Sequence, residues 1–237
     1  MAKSGKGAAG AAGAAKGDDA PSRRELAVAR SLDSARTRAE NRVQQFLDAA
    51  VELMDEDPNR DFTVQEVVDR SGQSLRSFYQ YFDGKYELLL ALFEESVRAT
   101  VVALRDTLPT GNTADAGERL HAFVVQYHAM CRPARSGRAR PTPGMGRFAQ
   151  QLLTEHPKEA AAAFGPLMDL TRGLLDDAAA AGAIRDDLAH DALAGVLLQA
   201  IMFNSFATII SGKATAEAAA DADPEVMWAL FFRGMER

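Results

Sequence analysis

The chain has 237 residues, 47% hydrophobic and 25% charged, with a net charge of −6. That balance is ordinary for one large or two small globular domains and excludes a basic nucleic-acid coat protein. Its single cysteine, Cys131, leaves no intrachain disulfide, which points to a reducing, cytoplasmic setting.

The first 38 residues open with MAKSGKGAAGAAGAAKGDDAPS. They offer no apolar face and no leucine-type core, so they read as a flexible arm rather than a signal peptide, with some helical potential in SRRELAVARSLDSARTR. Residues 1–39 hold eight basic side chains against four acidic ones, which leaves −10 on the remainder. The arm is either a solubilising tail or a basic segment that touches nucleic-acid phosphates.

A helix is expected from Arg42, where Val43, Phe46, Leu47, Ala50, Leu53 and Met54 make one apolar stripe. DEDPNRD, with Pro58, ends it. Helical patterns then run over about 63–71, 75–82, 85–108, 117–131, 145–155, 158–181, 189–211 and 224–235, with glycines and prolines between them. No strand pattern competes, so the expected class is all-α. The most apolar stretch, Ala192–Ile210, is interrupted by Gln199, Asn204, Ser205 and Thr208. It suits a buried interface helix better than a membrane span, and no membrane partner is expected.

The sharpest signal is FTVQEVVDRSGQSLRSFYQYFDGKYELLLALF, Phe62 to Phe93. Thr63 and Glu66 form a capping box, with Phe62 and Val67 as a hydrophobic staple. Gly72 suits a left-handed helix end, and Ser74 can cap the next helix. Two short helices joined by a tight glycine turn make a helix-turn-helix. Phe78 and Phe82 turn inward toward Val67 and Val68. Leu75, Arg76, Ser77, Tyr79, Gln80 and Tyr81 are left for other faces. Arg reads guanine and Gln reads adenine in a major groove, and hydroxyls suit phosphates. Thr63, Gln65, Ser74 and Lys85 complete the candidate DNA-contacting set.

This segment resembles the DNA-binding part of the TetR family of bacterial transcriptional regulators. Gly72, Ser74, Ser77, Phe78, Tyr79, Tyr81, Phe82 and Lys85 fall in register with the family pattern. Gln73, Leu75 and Arg76 depart from it, which bears on the DNA sequence chosen. The close resemblance covers Arg42 to Leu92. It implies a basic arm at 1–38, a DNA-binding domain at 39–84, and a helical ligand-binding and dimerisation domain at 85–237. It further implies a homodimeric repressor on double-stranded, near-palindromic operator DNA, released by a small, largely apolar or amphipathic effector. One feature resists: residues 40–87 carry five basic side chains against eleven acidic ones, whereas phosphate attraction needs positive charge.

The later helices show no catalytic constellation, no phosphate loop and no cofactor motif. His121 and His128, seven apart near Glu118 and Cys131, suit a polar helix edge better than a metal site. Under the resemblance, Phe123, Tyr127, Met130, Phe148, Leu152, Met168, Phe203 and Asn204 are the candidate effector lining. Val196, Leu197 and Ala200, with Trp228, Phe231 and Phe232, are the candidate dimer interface. The alternatives are an all-α ligand carrier or enzyme with a vestigial helix-turn-helix, and a DNA-binding regulator without a ligand.

Overall fold

The computed structural model describes residues 22–57, 60–110, 116–131, 143–210 and 223–235, without the side chains of 143 and 204–210. Among these residues there are nine helices and no strand. They are α1 (Arg23–Glu56), α2 (Val64–Ser71), α3 (Leu75–Tyr79), α4 (Lys85–Thr107), α5 (Ala116–Cys131), α6 (Pro143–Glu155), α7 (Pro157–Ala180), α8 (His190–Ile210) and α9 (Pro224–Met235). Residues 132–142 and the chain before Ser22 lie outside the described residues. No described helix is long and apolar enough to cross a membrane.

Helix α1 corrects the reading of the arm. It starts at Arg23 rather than at Arg42, so the second half of the expected flexible arm is helical. The cause is a reciprocal cap. The Glu25 amide donates to Ser22 Oγ at 3.2 Å, and the Ser22 amide donates to Glu25 Oε2 at 2.7 Å. These bonds hold the Glu25 carboxyl below its ordinary range. The chain separates into two units, Met1–Asn41 and Arg42–Arg237. In the first unit Leu26, Val28 and Leu32 are exposed, and Arg36 pairs with Glu40 along the helix at 2.7 Å.

In the second unit α1 continues by burying Phe46, Leu47, Ala50 and Met54 of the expected stripe, with Ala49 besides, while Val43 and Leu53 of that stripe are half-buried. α2 starts on the expected capping box and ends on Gly72, whose φ of 67° is left-handed backbone that a side chain would strain. α3 is capped by Ser74, which accepts from the Ser77 amide, and is shorter than the pattern suggested, ending at Tyr79. Phe78 is fully buried among Phe46, Tyr79 and Phe82, with ring centroids 5.3, 5.5 and 5.4 Å away.

Beyond this head, α4 packs on α5, α6 and α7, and α8 lies against α5, α6 and α7. α7 ends in a Schellman turn: the Ala183 amide reaches the Ala178 carbonyl at 2.9 Å, and the Gly182 amide reaches the Ala179 carbonyl at 2.9 Å. Gly182 supplies the positive φ of 72°. The turn drives Ile184 into the core, and the next amide, of Arg185, bonds the Met235 carbonyl at 2.9 Å. That bond ties α9 to the α7–α8 turn.

Truncating Phe78 leaves a hole where α1 and α3 meet. Phe78→Ala is expected to cost about 3–5 kcal/mol in urea unfolding, whereas Leu75→Ala, on the exposed side of the same helix, should stay within about 0.5 kcal/mol.

Candidate nucleic-acid interface and core cavity

The buried Phe78 fixes which side of α3 faces out. Leu75, Arg76, Tyr79 and Gln80 are exposed, and no other described side chain engages Arg76 by a hydrogen bond or ion pair. The other candidates are placed differently. The Thr63 hydroxyl is committed to the capping box, donating to Glu66 Oε2 at 2.9 Å. Gln65 is exposed and bonds Asp69 at 2.7 Å. Ser74 is exposed but spends its oxygen on the cap, and Tyr81 is half-buried against the core. The Ser77 hydroxyl is buried without a partner, so it turns inward rather than toward a phosphate. Lys85 pairs with Asp61 and lies 4.4 Å over the Phe62 ring.

The excess of acid in the head is partly answered by internal pairing. Arg70 bridges Glu56 at 2.8 Å and Glu52 at 3.5 Å, and Arg60 pairs with Glu66. The hydrogen bonds and charges of these arginines lower the Glu56 carboxyl, while at Glu66 the Thr63 backbone and hydroxyl bonds dominate. Gln73 holds the turn onto α1 by donating to Gln45 at 2.8 Å.

The second feature is a cavity of about 60 Å³ inside the helical bundle. α4 lines it with Phe93, Ser96, Val97 and Thr100, and α5 with Tyr127, Met130 and Cys131. Met145, Phe164, Leu167 and Met202 close it from α6, α7 and α8. Of the expected lining, Tyr127 and Met130 are there. Phe123 and Leu152 are fully buried elsewhere in the core, and Met168 lies half-buried outside the cavity. Phe148 is buried and belongs to a groove shared with Lys85 and Tyr86. Phe203 is 63% exposed on the outer side of α8, one residue beyond the Met202 that does face in. The Asn204 side chain lies outside the described residues. The reading from sequence missed Phe93, Ser96, Val97 and Thr100. Their i, i+3, i+4, i+7 spacing on α4 was the available signal.

A ring sequence joins cavity to head. Phe164 and Phe93, both in the wall, are 5.1 Å apart; Phe93 meets Phe148 at 6.3 Å; Phe148 meets Tyr86 at 5.7 Å. Tyr86 is the second residue of α4, next to Lys85.

The dimer candidates also divide. Val196 is exposed and Ala200 half-buried, but Leu197 is 1% exposed and belongs to the core. Trp228, Phe231 and Phe232 are half-buried against the core, with Trp228 4.9 Å from the His121 ring and 4.8 Å from Phe232. The exposed large apolar residues of α9 are Val226 and Leu230 instead. His121 bonds Glu225 at 2.9 Å, and His128 is buried. Among the described residues no group of three His, Cys, Asp or Glu could hold a metal ion.

Burial pushes the Cys131 thiol up to about 12, outweighing the lowering effect of its hydrogen bond with Tyr127. The thiol is therefore not a thiolate at neutral pH. Iodoacetamide at pH 8 should leave the native protein unmodified and label it once after unfolding in urea, as read by intact mass.

Residues 46–92 match the family model for bacterial regulatory proteins of the tetR family. No curated protein matches the sequence. Solved structures agree in fold. The fatty acid degradation regulator FadR from Bacillus halodurans is 18% identical, with a TM-score of 0.62 over 80% of this chain and 94% of its own. FadR from Bacillus subtilis, in complex with stearoyl-CoA, is 16% identical, with a TM-score of 0.61 over 81% and 99%. CprB from S. coelicolor A3(2), a TetR family protein, is 20% identical, with a TM-score of 0.50 over 84% and 90%. The capped helix-turn-helix thus lies inside a segment that matches the tetR family model, and the helices behind it share the fold of these solved structures.

Proposed function

We propose that the chain acts as a homodimeric repressor on near-palindromic operator DNA, with residues 39–84 as reading head and the helices from Lys85 on as effector-binding and dimerisation domain. The observation that carries it is the outer face of α3, where Arg76, Tyr79 and Gln80 are exposed and Arg76 has no internal partner among the described residues. Arg76 and Gln80 meet base edges; Tyr79 holds a phosphate, and Lys85 does so by exchanging its Asp61 partner for one. Exposed Val196 and Phe203 on α8, with Val226 and Leu230 on α9, supply apolar surface for an isologous contact.

The effector enters the core cavity and enlarges it. Its displacement of Phe93 and Phe164 passes through Phe148 to Tyr86, at the start of α4, and so changes the spacing of the two α3 helices. Simple two-fold readers need half-sites about 34–36 Å apart, so a shift of a few ångströms misaligns one of them. A ligand-independent regulator is the competing reading, favoured by the cavity's small volume of about 60 Å³. It predicts DNA binding that no core ligand changes.

The test begins with DNA selected by the full-length protein from a random pool. Arg76→Ala should relax preference at one base position, at a cost of about 1–3 kcal/mol. Lys85→Ala should weaken all sequences alike and flatten the salt dependence by about one charge. Unchanged base preference in Arg76→Ala would remove that residue from the reading face. Absence of any salt-dependent DNA affinity in the wild type would favour a carrier or enzyme.

A further inference from the structure

The polar groups of the core cavity accept hydrogen bonds more readily than they donate them. On the α4 wall Ser96 Oγ donates to its own helix at the Phe93 carbonyl, 2.7 Å away, and Thr100 Oγ1 donates to the Ser96 carbonyl at 2.8 Å. What each hydroxyl has left is an oxygen lone pair. Tyr127, across from them on α5, shares its hydroxyl with Cys131. Among the described residues no Arg, Lys or His lines the cavity. Against this described lining a carboxylate or phosphate would be desolvated beside lone pairs with no cation to meet it. A carbonyl would be served only by turning a hydroxyl proton off its helix carbonyl. An alcohol, by contrast, finds two acceptors one helical turn apart. The hydrocarbon that follows it meets Met130, Met145 and Met202, flexible side chains that can move aside. They must, since about 60 Å³ holds only about two waters.

We infer that the effector is a neutral, hydrogen-bond-donating molecule, a hydrocarbon bearing a hydroxyl, received by Ser96 and Thr100 on α4, and that the cavity rejects the matching carboxylate. The inference rests on the proposed role of the cavity as the effector site. It also places the ligand's polar contact on the helix that leads to the reading head. Both hydroxyls already bond back within α4, a pattern that bends helices, so a ligand drawing on them acts directly on the shape of α4.

Three probes on the full-length protein separate the possibilities: octan-1-ol and octanoate by calorimetry at pH 8, and xenon by NMR. Octan-1-ol should bind at least about tenfold more tightly than octanoate, the carboxylate losing its hydration without a partner. The double variant Ser96→Ala, Thr100→Val should weaken octan-1-ol alone and abolish the preference, while retained xenon binding reports an intact cavity. Octanoate binding as tightly as octan-1-ol in the wild type, or a preference that survives the double substitution, would overturn the inference and leave the effector-site reading standing. Failure of the wild type to take up xenon or either C8 probe would sink the effector-site reading, and the inference with it.

Discussion

The burial of Phe78 between Phe46 and Phe82 is the constraint from which the head follows. α3 is only five residues long and has too few internal hydrogen bonds to persist alone. Its orientation is set by one fully buried ring packed edge-on against Phe46 of α1 and tilted against Phe82 beyond its end. Once that ring is seated, the rest of a five-residue helix has no freedom to rotate. Leu75, Arg76 and Tyr79 face out because Phe78 faces in. The caps at Thr63 and Ser74 and the left-handed Gly72 bring the chain to that point; the ring decides what it presents.

The head is also an electrostatic compromise. Acidic side chains gather at the end of α1 and around the α1–α2 turn, and Arg60, Arg70 and Lys85 are each drawn into pairs with them. Such exposed pairs add little to stability, but they lower the positive potential available to a phosphate backbone. On the proposed reading as a DNA-binding head, nonspecific attraction is therefore weak, and recognition leans on the few side chains that remain unengaged at the tip. A regulator that holds loosely to random DNA dissociates readily from wrong sites, so selectivity is gained where affinity is given up.

Between head and bundle, α4 has two jobs along one helix. Its first turn carries Lys85 and Tyr86 beside the head, and its middle forms a wall of the core cavity. Rings in contact from Phe164 to Tyr86 run from one to the other. Packed aromatics do not compress gradually, so displacement at the cavity has few ways to be absorbed before it reaches the start of α4.

What the sequence determined by itself is what short-range chemistry decides. The Thr63–Glu66 box, the Gly72 end, the Ser74 cap and the i, i+4 pair Phe78 and Phe82 are complete within a few residues, and each was legible. The box at Ser22 and Glu25 was equally local and marks the true start of α1. There the polar, alanine-rich composition masked the cap. Tertiary structure alone decided the rest. α8 is apolar nearly all round, so nothing in its order of residues says that Leu197 and Met202 face the core while Val196 and Phe203 face out. Lys85 meets Asp61, far from it in the chain, and so its availability to DNA was invisible. Trp228 finds His121 across a long separation and is drawn onto α5 instead of outward. The cavity is a gap among five helices, and a gap has no residue of its own. Its position depends on how the side chains of all five fail to meet, a property of packing that no single stretch of sequence contains.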